Sequence, residues 1–425
     1  MDERIAVIGA GYVGLTTAAC FAELGYRVSC GDVDVSRIEE LRHGRLPIHE
    51  DGLGELVQAH LADGRLRFEV GASAAVVDAD VVFICVPTPE LPDGAADMTY
   101  VHSVATEIGP YLRPGAIVVN KSTVPVGSLR EVERFLARAD VAVVSNPEFL
   151  REGSAVADFL RPDRIVIGAD DPEIAARVAA LYRPVSAPVL LTDPVSAETI
   201  KYAANSFLAT KLSFVNALAA VCEAVGADVD EVMLGIGYDT RIGHEFLRPG
   251  PGWGGSCFPK DTEALIRIAE DAGYDFSLLR GVVDVNRDQF ARIVDKVERA
   301  LDGRVEGARI AALGLTFKSG TDDLRHSPAL EIIDRLVARG AEVRAYDPVV
   351  TRAPIEKVEV MSDLYAACTD ADVVVVLTEW DEFRLADLDR LAEVVARRAV
   401  VDTRNVLDRS SLQRLGFTYE GVGRR

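Results

Sequence analysis

The sequence predicts an α/β fold made of two parallel-sheet domains joined by a long central helix. Short apolar segments alternate with amphipathic ones in the first ninety residues, and the same alternation returns near the C-terminus. This pattern is typical of parallel strands covered by helices on both faces. With 425 residues the chain also exceeds what one hydrophobic core usually supports. We therefore expect at least two domains.

The first strand runs directly into a glycine-rich turn. The segment RIAVIGA is followed by Gly11 and Gly14, and Asp32 comes at the end of the next predicted strand. Gly9 permits the tight turn, Gly11 lets the backbone approach a pyrophosphate, and Gly14 allows close packing of helix on strand. Strand, turn, helix and downstream acid together predict a Rossmann-like domain that binds a dinucleotide.

The acid after the second strand indicates which dinucleotide. Asp32 is expected to accept the ribose hydroxyls, and Asp34 beside it would repel a 2′-phosphate, so NAD is favoured over NADP. Arg37 is the opposing signal, because an arginine can accommodate that phosphate. A solvated helix position is the commoner interpretation of such an arginine, and NAD remains the prediction.

The C-terminal part repeats the strand pattern of the first domain. Four segments match in the same order: RIA at 309–311 with 4–6, the Gly-to-Asp spacing at 340–347 with 25–32, DADVV at 370–374 with 78–82, and RAVVDT at 398–403 with AIVVNK at 116–121. Four matches in order predict a second, related α/β domain. Charged residues stand at 316–325 in place of the glycines, so this half is not expected to bind a second dinucleotide in the usual way.

The segment 196–227 lacks Pro and predicts one long helix, with Ser196 as its N-cap and Gly226 as its C-terminal cap. Glu198 would lie in its first turn, where the helix dipole favours an acid. Such a helix spans about 45 Å, enough to bridge two domains and to pair with a second subunit. A core helix inside one domain is the alternative. The predicted domains are 1–195, which binds the dinucleotide, 196–302, a central helical region, and 303–425, the second α/β domain.

A second glycine-rich segment, 249–261, contains Cys257 just before Pro259 and a predicted helix start. A thiol at a helix N-terminus near a lysine should have a lowered pKa and can act as a nucleophile. The alternative is a small buried apolar residue. The surrounding glycines and the helix start favour the nucleophile, and the other five cysteines have no such setting.

Lysines are scarce, with seven against 39 arginines, and three of them fall in motif-like segments: Lys201, Lys260 and Lys318. Lys201 and Asn205 share one face of the long helix and could form an oxyanion hole. A surface lysine beside an ordinary asparagine is the alternative. The segment 146–153 places two carboxylates after an apolar strand, where parallel sheets build their sites, and 122–125 offers hydroxyl groups at the same edge.

Composition excludes some partners. The chain carries 46 Lys and Arg residues against 67 Asp and Glu residues, a formal charge of -21, which disfavours nucleic acids and anionic membranes. Six dispersed cysteines without a C-x-x-C pair indicate neither a disulfide framework nor a metal site. No signal peptide and no apolar run of the ~18 residues that a membrane span needs are recognised. A cytoplasmic location is expected.

Five motifs together resemble the nucleotide-sugar dehydrogenases of the UDP-glucose/GDP-mannose dehydrogenase family: the glycine turn, NPEFLREG (146–153), the Lys201–Asn205 helix, GGSCFPKD (254–261) and FKSGTDDLR (317–325). The resemblance covers the chain in order. It implies two Rossmann-like domains, a long helix used for homodimerisation, and a four-electron oxidation of a sugar C6 hydroxymethyl group with two NAD consumed in turn. The stretch 239–243 resembles the UDP-glucose branch.

Other functions stay open. GDP-mannose and UDP-N-acetylmannosamine are alternative substrates within the same family. A two-electron hydroxyacid dehydrogenase shares a Rossmann domain and a catalytic lysine but has no use for Cys257. A non-catalytic NAD-binding sensor is a third class.

The resemblance also implies roles for residues. Cys257 would form a thiohemiacetal and then a thioester, Lys201 and Asn205 would stabilise oxyanions, and Asp261, Glu148 and Thr123 would position water and move protons. The NAD contacts would be Gly9, Gly11, Val13, Gly14, Asp32, Arg37, Thr88, Thr123, Glu152, Lys260 and Arg325. The sugar-nucleotide contacts would be Glu148, Phe149, Leu150, Arg151, Glu152, Lys201, Asn205, Phe246, Leu247, Arg248, Pro249, Gly250, Gly254 and Lys318, with Arg241 reaching the substrate of the neighbouring subunit.

Overall fold

The computed structural model describes residues 3–92 and 94–424. The chain forms two compact units. The first unit takes in residues up to Ala204 together with Glu263–Ala272, and the second takes in Asn205–Thr262 together with residues from Gly273 onward. The central region predicted at 196–302 thus has residues in both units, and its exact boundaries stay a prediction.

The first unit is built on eight strands: β1 (Arg4–Ile8), β2 (Arg27–Asp32), β3 (Leu66–Val70), β4 (Val81–Ile84), β5 (Ile117–Asn120), β6 (Ala142–Ser145), β7 (Ile165–Gly168) and β8 (Val189–Thr192). They form one sheet in the order β3-β2-β1-β4-β5-β6-β7-β8. Neighbours are parallel except β6 and β7, which pair antiparallel. The predicted parallel sheet is confirmed, and its carboxyl edge carries the loops considered below.

Helices cover both faces of this sheet: α1 (Tyr12–Glu23), α2 (Val35–Arg42), α3 (Leu53–Ala62), α4 (Ala72–Val76), α5 (Thr99–Ile108), α6 (Leu129–Leu136), α7 (Ala155–Leu160) and α8 (Pro172–Leu181), with a 3-10 turn at Gly109–Tyr111. Successive side chains of β1 point to opposite faces. Ile5 and Val7 accordingly belong to one core cluster, and Ala6 and Ile8 belong to another. Both faces are buried, as expected of a parallel sheet.

The long central helix, α9, is Pro194–Val225. It begins two residues before the predicted N-cap, so the assignment to Ser196 is wrong. Asp193 Oδ1 accepts a hydrogen bond from the Ser196 amide at 2.8 Å, and Pro194 stands at the first helical position, where its missing N–H costs nothing. Gly226, with φ +79, follows the last helical residue as predicted.

By length and composition α9 is also the one helix among the described residues that could cross a membrane, with 33% of its most apolar stretch buried. The expectation that no segment meets this criterion is therefore wrong.

The second unit repeats the topology of the first. Its strands are β9 (Arg309–Leu313), β10 (Glu342–Tyr346), β11 (Val358–Val360), β12 (Val373–Val376), β13 (Ala399–Asp402) and β14 (Thr418–Gly421). All neighbours are parallel in the order β11-β10-β9-β12-β13-β14. This is the order of the first six strands of the other sheet, so the predicted second Rossmann-like sheet is confirmed.

The remaining helices are α10 (Val229–Gly237), α11 (Phe258–Asp271), α12 (Ser277–Ala300), α13 (Pro328–Ala338), α14 (Leu364–Cys368), α15 (Asp381–Arg384), α16 (Leu388–Val394) and α17 (Arg409–Arg414). Ile310 and Ala312 of β9 belong to one core cluster, and Ala311 and Leu313 belong to another. This sheet, too, is buried on both faces.

Candidate active site

The glycine turn between β1 and α1 is built as its sequence predicts. Gly9 has φ +101, a left-handed conformation that side chains disfavour. A Cβ on Gly14 would lie 1.8 Å from the Gly9 carbonyl oxygen, so only glycine fits there. A Cβ on Gly11, by contrast, would meet no atom within 4 Å. Val13 follows in the first turn of α1. The backbone at the start of α1 is thus open for a phosphate to approach.

Asp32, at the end of β2, is tied to this turn. Its Oδ2 accepts from the Ala10 amide at 2.7 Å, and its Oδ1 accepts from the Asp34 amide at 2.9 Å. Arg37 Nη1 lies 3.3 Å from Asp32 Oδ2, and Arg37 Nη2 lies 3.9 Å from Asp34 Oδ2. Two carboxylates therefore counter the single guanidinium, which supports NAD over NADP. The open backbone and the fixed acid fit a dinucleotide.

Thr88 and Thr123 come together at the carboxyl edge of the first sheet. They follow the neighbouring strands β4 and β5, and Thr88 Oγ1 donates to the Thr123 carbonyl oxygen at 2.7 Å. Two hydroxyl-bearing residues predicted to contact NAD are thus joined on adjacent loops, at the edge where open parallel sheets bind ligands.

Glu198 holds the loop that carries Thr123, a role that the sequence did not indicate. Its carboxylate accepts from the backbone amides of Gly127 at 2.6 Å and Leu129 at 3.2 Å. Glu198 therefore caps the N-terminus of α6 rather than acting in the first turn of α9. Burial raises the pKa of Glu198 to about 7, against the opposing effect of these two hydrogen bonds.

Glu148 and Lys201 form a buried ion pair in the first unit. Lys201 Nζ donates to Glu148 Oε1 at 2.9 Å, and the side chains are only 4% and 6% exposed. The Leu150 amide donates to Glu148 Oε2 at 2.6 Å. Burial by itself would raise the pKa of Glu148, but Lys201, the Leu150 amide and Lys121 together hold that pKa below its usual value. Near neutral pH Glu148 is therefore ionised although it is buried.

The turn that carries Glu148 is fixed through Asn146. Tyr182 OH donates to Asn146 Oδ1 at 2.6 Å, Lys121 Nζ donates to the same oxygen at 3.3 Å, and Asn146 Nδ2 donates to the Val166 carbonyl at 2.8 Å. Lys121 and Tyr182 were not singled out from the sequence. For Lys121 the scarcity of lysine was an available signal, because it opens the KSTVP segment after β5.

Two further contacts order the segment 146–153. The Arg164 guanidinium lies 3.7 Å from the centre of the Phe149 ring, and Lys201 Nζ lies 5.4 Å from it. Glu50 accepts from the Gly153 and Ala155 amides, both at 2.7 Å, and so holds the far end of the segment. Neither Arg164 nor Glu50 was expected from the sequence. Arg151 pairs with Asp158 at 2.6 Å.

In the second unit, Cys257 immediately precedes α11. Its carbonyl oxygen accepts from the Asp261 amide at 3.0 Å, which places Cys257 at the N-cap. Cys257 is only partly buried, whereas the other five cysteines are buried. For Cys20, Cys30, Cys85 and Cys368, burial raises the thiol pKa. Cys257 is thus the accessible thiol of the chain, and it lies at a helix N-terminus.

Asp261 joins two other predicted site residues in the second unit. Asn205 Nδ2 donates to Asp261 Oδ2 at 2.6 Å, and Lys260 Nζ donates to Asp261 Oδ1, also at 2.6 Å. Asp261 itself is 1% exposed. Asp261 therefore orients both the amide and the ammonium, one turn after the thiol.

The loop before Cys257 is anchored by four buried polar side chains. Asn216 Oδ1 accepts from the Gly250 amide at 2.9 Å, and Gln289 donates to the Gly250 carbonyl at 2.7 Å. Asn286 accepts from the Trp253 amide at 2.8 Å, and Ser213 accepts from the Trp253 indole at 2.9 Å. The four anchors lie on α9 and α12, so the glycine-rich loop has one defined path.

This loop packs against the segment 317–326. A Cβ on Gly254 would lie 1.9 Å from the His326 carbonyl oxygen, and a Cβ on Gly255 would lie 2.8 Å from the Phe317 ring. Lys318 and Arg325 flank this contact in the sequence, and Arg325 forms a two-pronged pair with Asp323 at 2.8–3.0 Å. The two motifs of the second unit are therefore one structural site.

Arg404 belongs to the same place and was missed. It follows β13, its Nη2 donates to the Phe317 carbonyl at 3.2 Å, and its Nη1 would be 3.1 Å from a Cβ on Gly250. The internal repeat offered a signal, because 398–403 matches 116–121 and so places the next residue at the carboxyl edge.

The other substrate-binding residues predicted in the second unit precede this loop in the sequence. Phe246 has φ +59 and its ring lies 6.4 Å from that of Phe258, while Leu247 and Pro249 are buried and Arg248 is exposed. Arg241 is 87% exposed at its side chain and pairs with Asp239 at 2.6 Å.

Within residues 3–92 and 94–424, no group of three or more His, Cys, Asp or Glu side chains is arranged to hold a metal ion.

Three profiles of one family match the chain in order. The NAD binding domain of the UDP-glucose/GDP-mannose dehydrogenase family matches residues 3–186, its central domain matches 195–288, and its UDP binding domain matches 311–409. Together they account for most of the chain, and their order is that of the elements described above.

Relatives match over nearly their whole length. The chain is similar to UDP-glucose 6-dehydrogenase TuaD of Bacillus subtilis, at 46% identity over 99% of this chain and 93% of that protein. It is equally similar to the UDP-glucose 6-dehydrogenase of Rhizobium meliloti, at 46% identity over 99% of both. The solved structure of a UDP-glucose dehydrogenase from Pyrobaculum islandicum superimposes with a TM-score of 0.92 at 39% identity, covering 100% of this chain and 98% of that one.

Proposed function

The chain belongs to the UDP-glucose/GDP-mannose dehydrogenase family, and on that premise we propose that it oxidises UDP-glucose to UDP-glucuronate. NAD is the cofactor, and when bound it supplies the hydride acceptor. The single observation that carries the four-electron reaction is the accessible Cys257 thiol at the start of α11, followed by Asp261 with its bonds to Asn205 and Lys260.

The first oxidation turns the C6 alcohol of the sugar into an aldehyde. The hydride leaves C6, and the hydroxyl proton passes to water or to a neighbouring base. Lys201 and Asn205 lie one turn apart on α9. They stabilise the negative charge that develops on the C6 oxygen as its proton leaves. A well-placed oxyanion donor is worth about 3–4 kcal/mol.

The second oxidation proceeds through Cys257. Its thiolate adds to the aldehyde carbon and forms a C–S bond, giving a thiohemiacetal. Loss of a second hydride from this carbon leaves a thioester. A water then attacks the thioester carbon, the C–S bond breaks, and the carboxylate leaves while the thiol is regenerated. The whole reaction converts one alcohol, one water and two NAD into one carboxylate, two NADH and three protons.

Three residues handle the water and protons in this scheme. Glu148 is ionised and buried, so it can accept a proton or orient a water. Thr123 offers a hydroxyl group on the loop after β5, and Asp261 is fixed between Asn205 and Lys260. We assign proton transfer and water positioning to these three.

The second unit supplies the site for UDP. Its family profile is that of a UDP binding domain, and a pyrophosphate needs cationic partners. Lys318, Arg325 and Arg404 lie around the contact of the glycine-rich loop with 317–326. We assign these three cations to the diphosphate, together with Arg248, which is exposed and precedes the glycine-rich loop. The assignments of the NAD and sugar contacts carried over from the family are part of the same proposal.

A homodimer completes the proposal. Phe207, Phe214 and Val221 of α9 are 66%, 57% and 52% exposed and lie seven residues apart, which gives one apolar stripe along the helix. A second copy of the chain would cover it, and Arg241 is exposed, as reaching a neighbouring subunit requires. We also propose a cytoplasmic location, which the absence of disulfides among the six cysteines of the described residues supports.

The experiment is the amount of NADH formed at completion with limiting UDP-glucose, GDP-mannose and UDP-N-acetylmannosamine. We expect two NADH per UDP-glucose and much slower reaction with the other two. Robust turnover of GDP-mannose or UDP-N-acetylmannosamine with none of UDP-glucose would transfer the assignment to that substrate. One NADH per substrate would support a two-electron dehydrogenase instead.

A further inference from the structure

Lys121 is a buried lysine that the proposed reaction leaves unused. It follows β5 in the first unit and is 5% exposed. Its Nζ donates to Asn146 Oδ1 at 3.3 Å and lies 6.0 Å from the ring centres of both Phe159 and Tyr182. Burying an ammonium group costs several kcal/mol unless other charges compensate. A neutral amide and two aromatic faces compensate only part of that cost.

The compensating charge is Glu148. The titratable groups around Lys121 are Tyr182, Cys85 after β4, Glu148 after β6 and Lys201 on α9. Burial lowers the pKa of Lys121, and Lys201 lowers it further, whereas Cys85 and Glu148 raise it. Because burial raises the pKa of the Cys85 thiol, that thiol is neutral near neutral pH. The carboxylate of this cluster is thus Glu148: its Oε1 accepts from Lys201 Nζ at 2.9 Å, and Asn146, two residues before it, accepts from Lys121 Nζ at 3.3 Å.

The proposed reaction explains why Glu148 would need a second lysine besides Lys201. Lys201 is the group that stabilises the substrate oxygen, so its ammonium must divide its interaction between substrate and Glu148. If Lys201 were the only counter-ion, the buried Glu148 would lose much of its stabilisation at that moment and would tend to take up a proton from solvent before the reaction needs it as a base. A second, permanent cation removes this difficulty.

We propose that Lys121 is this permanent counter-ion, a positioning residue that keeps Glu148 ionised and in place while Lys201 engages the substrate. The proposal rests on the proposed function for its catalytic meaning. Lys121 acts by its charge and through Asn146. The backbone amide of Asn146 also donates to the Asn120 carbonyl at 2.9 Å. This bond ties the turn that bears Glu148 to the end of β5, immediately before Lys121.

The test separates charge from hydrogen bonding. Lys121→Gln keeps a donor for Asn146 Oδ1 but removes the charge, whereas Tyr182→Phe removes the 2.6 Å hydrogen bond to the same oxygen and leaves the charge. We expect the acid limb of kcat/KM against pH to move upward by about one pH unit in Lys121→Gln, because a neighbouring cation typically lowers a carboxyl pKa by at least that much. Tyr182→Phe should leave the acid limb where it is.

A second readout does not need activity. The infrared band of the protonated Glu148 carboxyl group, assigned by its loss in Glu148→Gln, is titrated in wild type, Lys121→Gln and Lys121→Met. The proposal requires the midpoint to rise in both Lys121 variants, with Lys121→Met available if Lys121→Gln does not fold. An unchanged midpoint overturns it, as does an equal shift in Tyr182→Phe. Absence of NADH production by wild type would instead overturn the proposed function, and the infrared titration would still decide on Lys121.

Discussion

Replacing Lys201 by Met should make the stability of the protein depend on pH in a way that wild type does not. The substitution removes the ammonium 2.9 Å from Glu148 Oε1 and leaves a carboxylate whose side chain is 6% exposed. Removing one partner of a buried ion pair typically costs about 3–5 kcal/mol, since the remaining charge is uncompensated. Lys121 and the Leu150 amide stay in place, so we expect the lower end, about 3 kcal/mol at pH 7.

The pH dependence follows from the sign of the pKa change. In wild type the pKa of Glu148 is below its usual value, so the ion pair stabilises the fold at neutral pH and is lost only as pH falls through that lowered value. In Lys201→Met burial dominates and raises the pKa of Glu148. Binding a proton then removes the buried charge from the variant. The difference in the free energy of unfolding between wild type and Lys201→Met should therefore shrink between pH 7 and about pH 5.

The assay is urea unfolding of wild type, Lys201→Met, Glu148→Gln and the double variant at pH 7 and at mildly acidic pH. In Glu148→Gln the buried carboxylate is absent, so Lys201→Met should cost less on that background. A deficit for the single Lys201→Met variant that is the same at both pH values would refute the claim that Glu148 is an ionised, buried partner of Lys201.

Three further outcomes are expected. Gly14→Ala places a Cβ 1.8 Å from a backbone oxygen, so it should abolish NAD binding in calorimetry and lower the free energy of unfolding by several kcal/mol. The control Gly54→Ala in α3 should do neither, because its Cβ would meet its nearest atom at 3.8 Å. Glu198→Gln should gain stability relative to wild type as pH rises from about 4.3 toward 7. The pKa of Glu198 is raised to about 7, so in this pH range folded wild type keeps a proton that the unfolded chain releases. A pH-independent difference in urea midpoints would contradict this. Phe214→Asp should convert the dimer to monomer in sedimentation velocity, whereas Leu385→Asp, at an apolar side chain that is 81% exposed in the second unit, should not.

Local sequence patterns account well for the sheets. The glycine turn, the strand-helix alternation and the four repeated segments depend on residues close together in the chain. The first six strands of the eight-stranded sheet and the six strands of the other sheet have the same order, in agreement with the repeat. The start of α9 was misplaced for a local reason as well. Asp193-Pro194 is itself a helix-start signal, and Ser196, two residues later, is of a residue type that also suits an N-cap.

The site was predictable only in part. Cys257, Asp261 and their motif stand out because the residues are contiguous. The partners of Glu198 are 71 and 69 positions away, and Lys121 meets Asn146 across 25 positions. Such contacts depend on how neighbouring strands bring their loops to one edge, which periodicity does not reveal. Burial of an ionisable side chain, the property that singles out Lys121 and Glu198, is likewise a consequence of packing.

The central claim is that two successive oxidations pass through Cys257, and the NADH yield of Cys257→Ser with limiting UDP-glucose tests it most directly. Wild type should form two NADH per UDP-glucose. The variant keeps the proposed oxyanion donors Lys201 and Asn205, so it should carry out at most the first oxidation and stall at one NADH or fewer per sugar. Two NADH per UDP-glucose from Cys257→Ser at the wild-type rate would contradict the account.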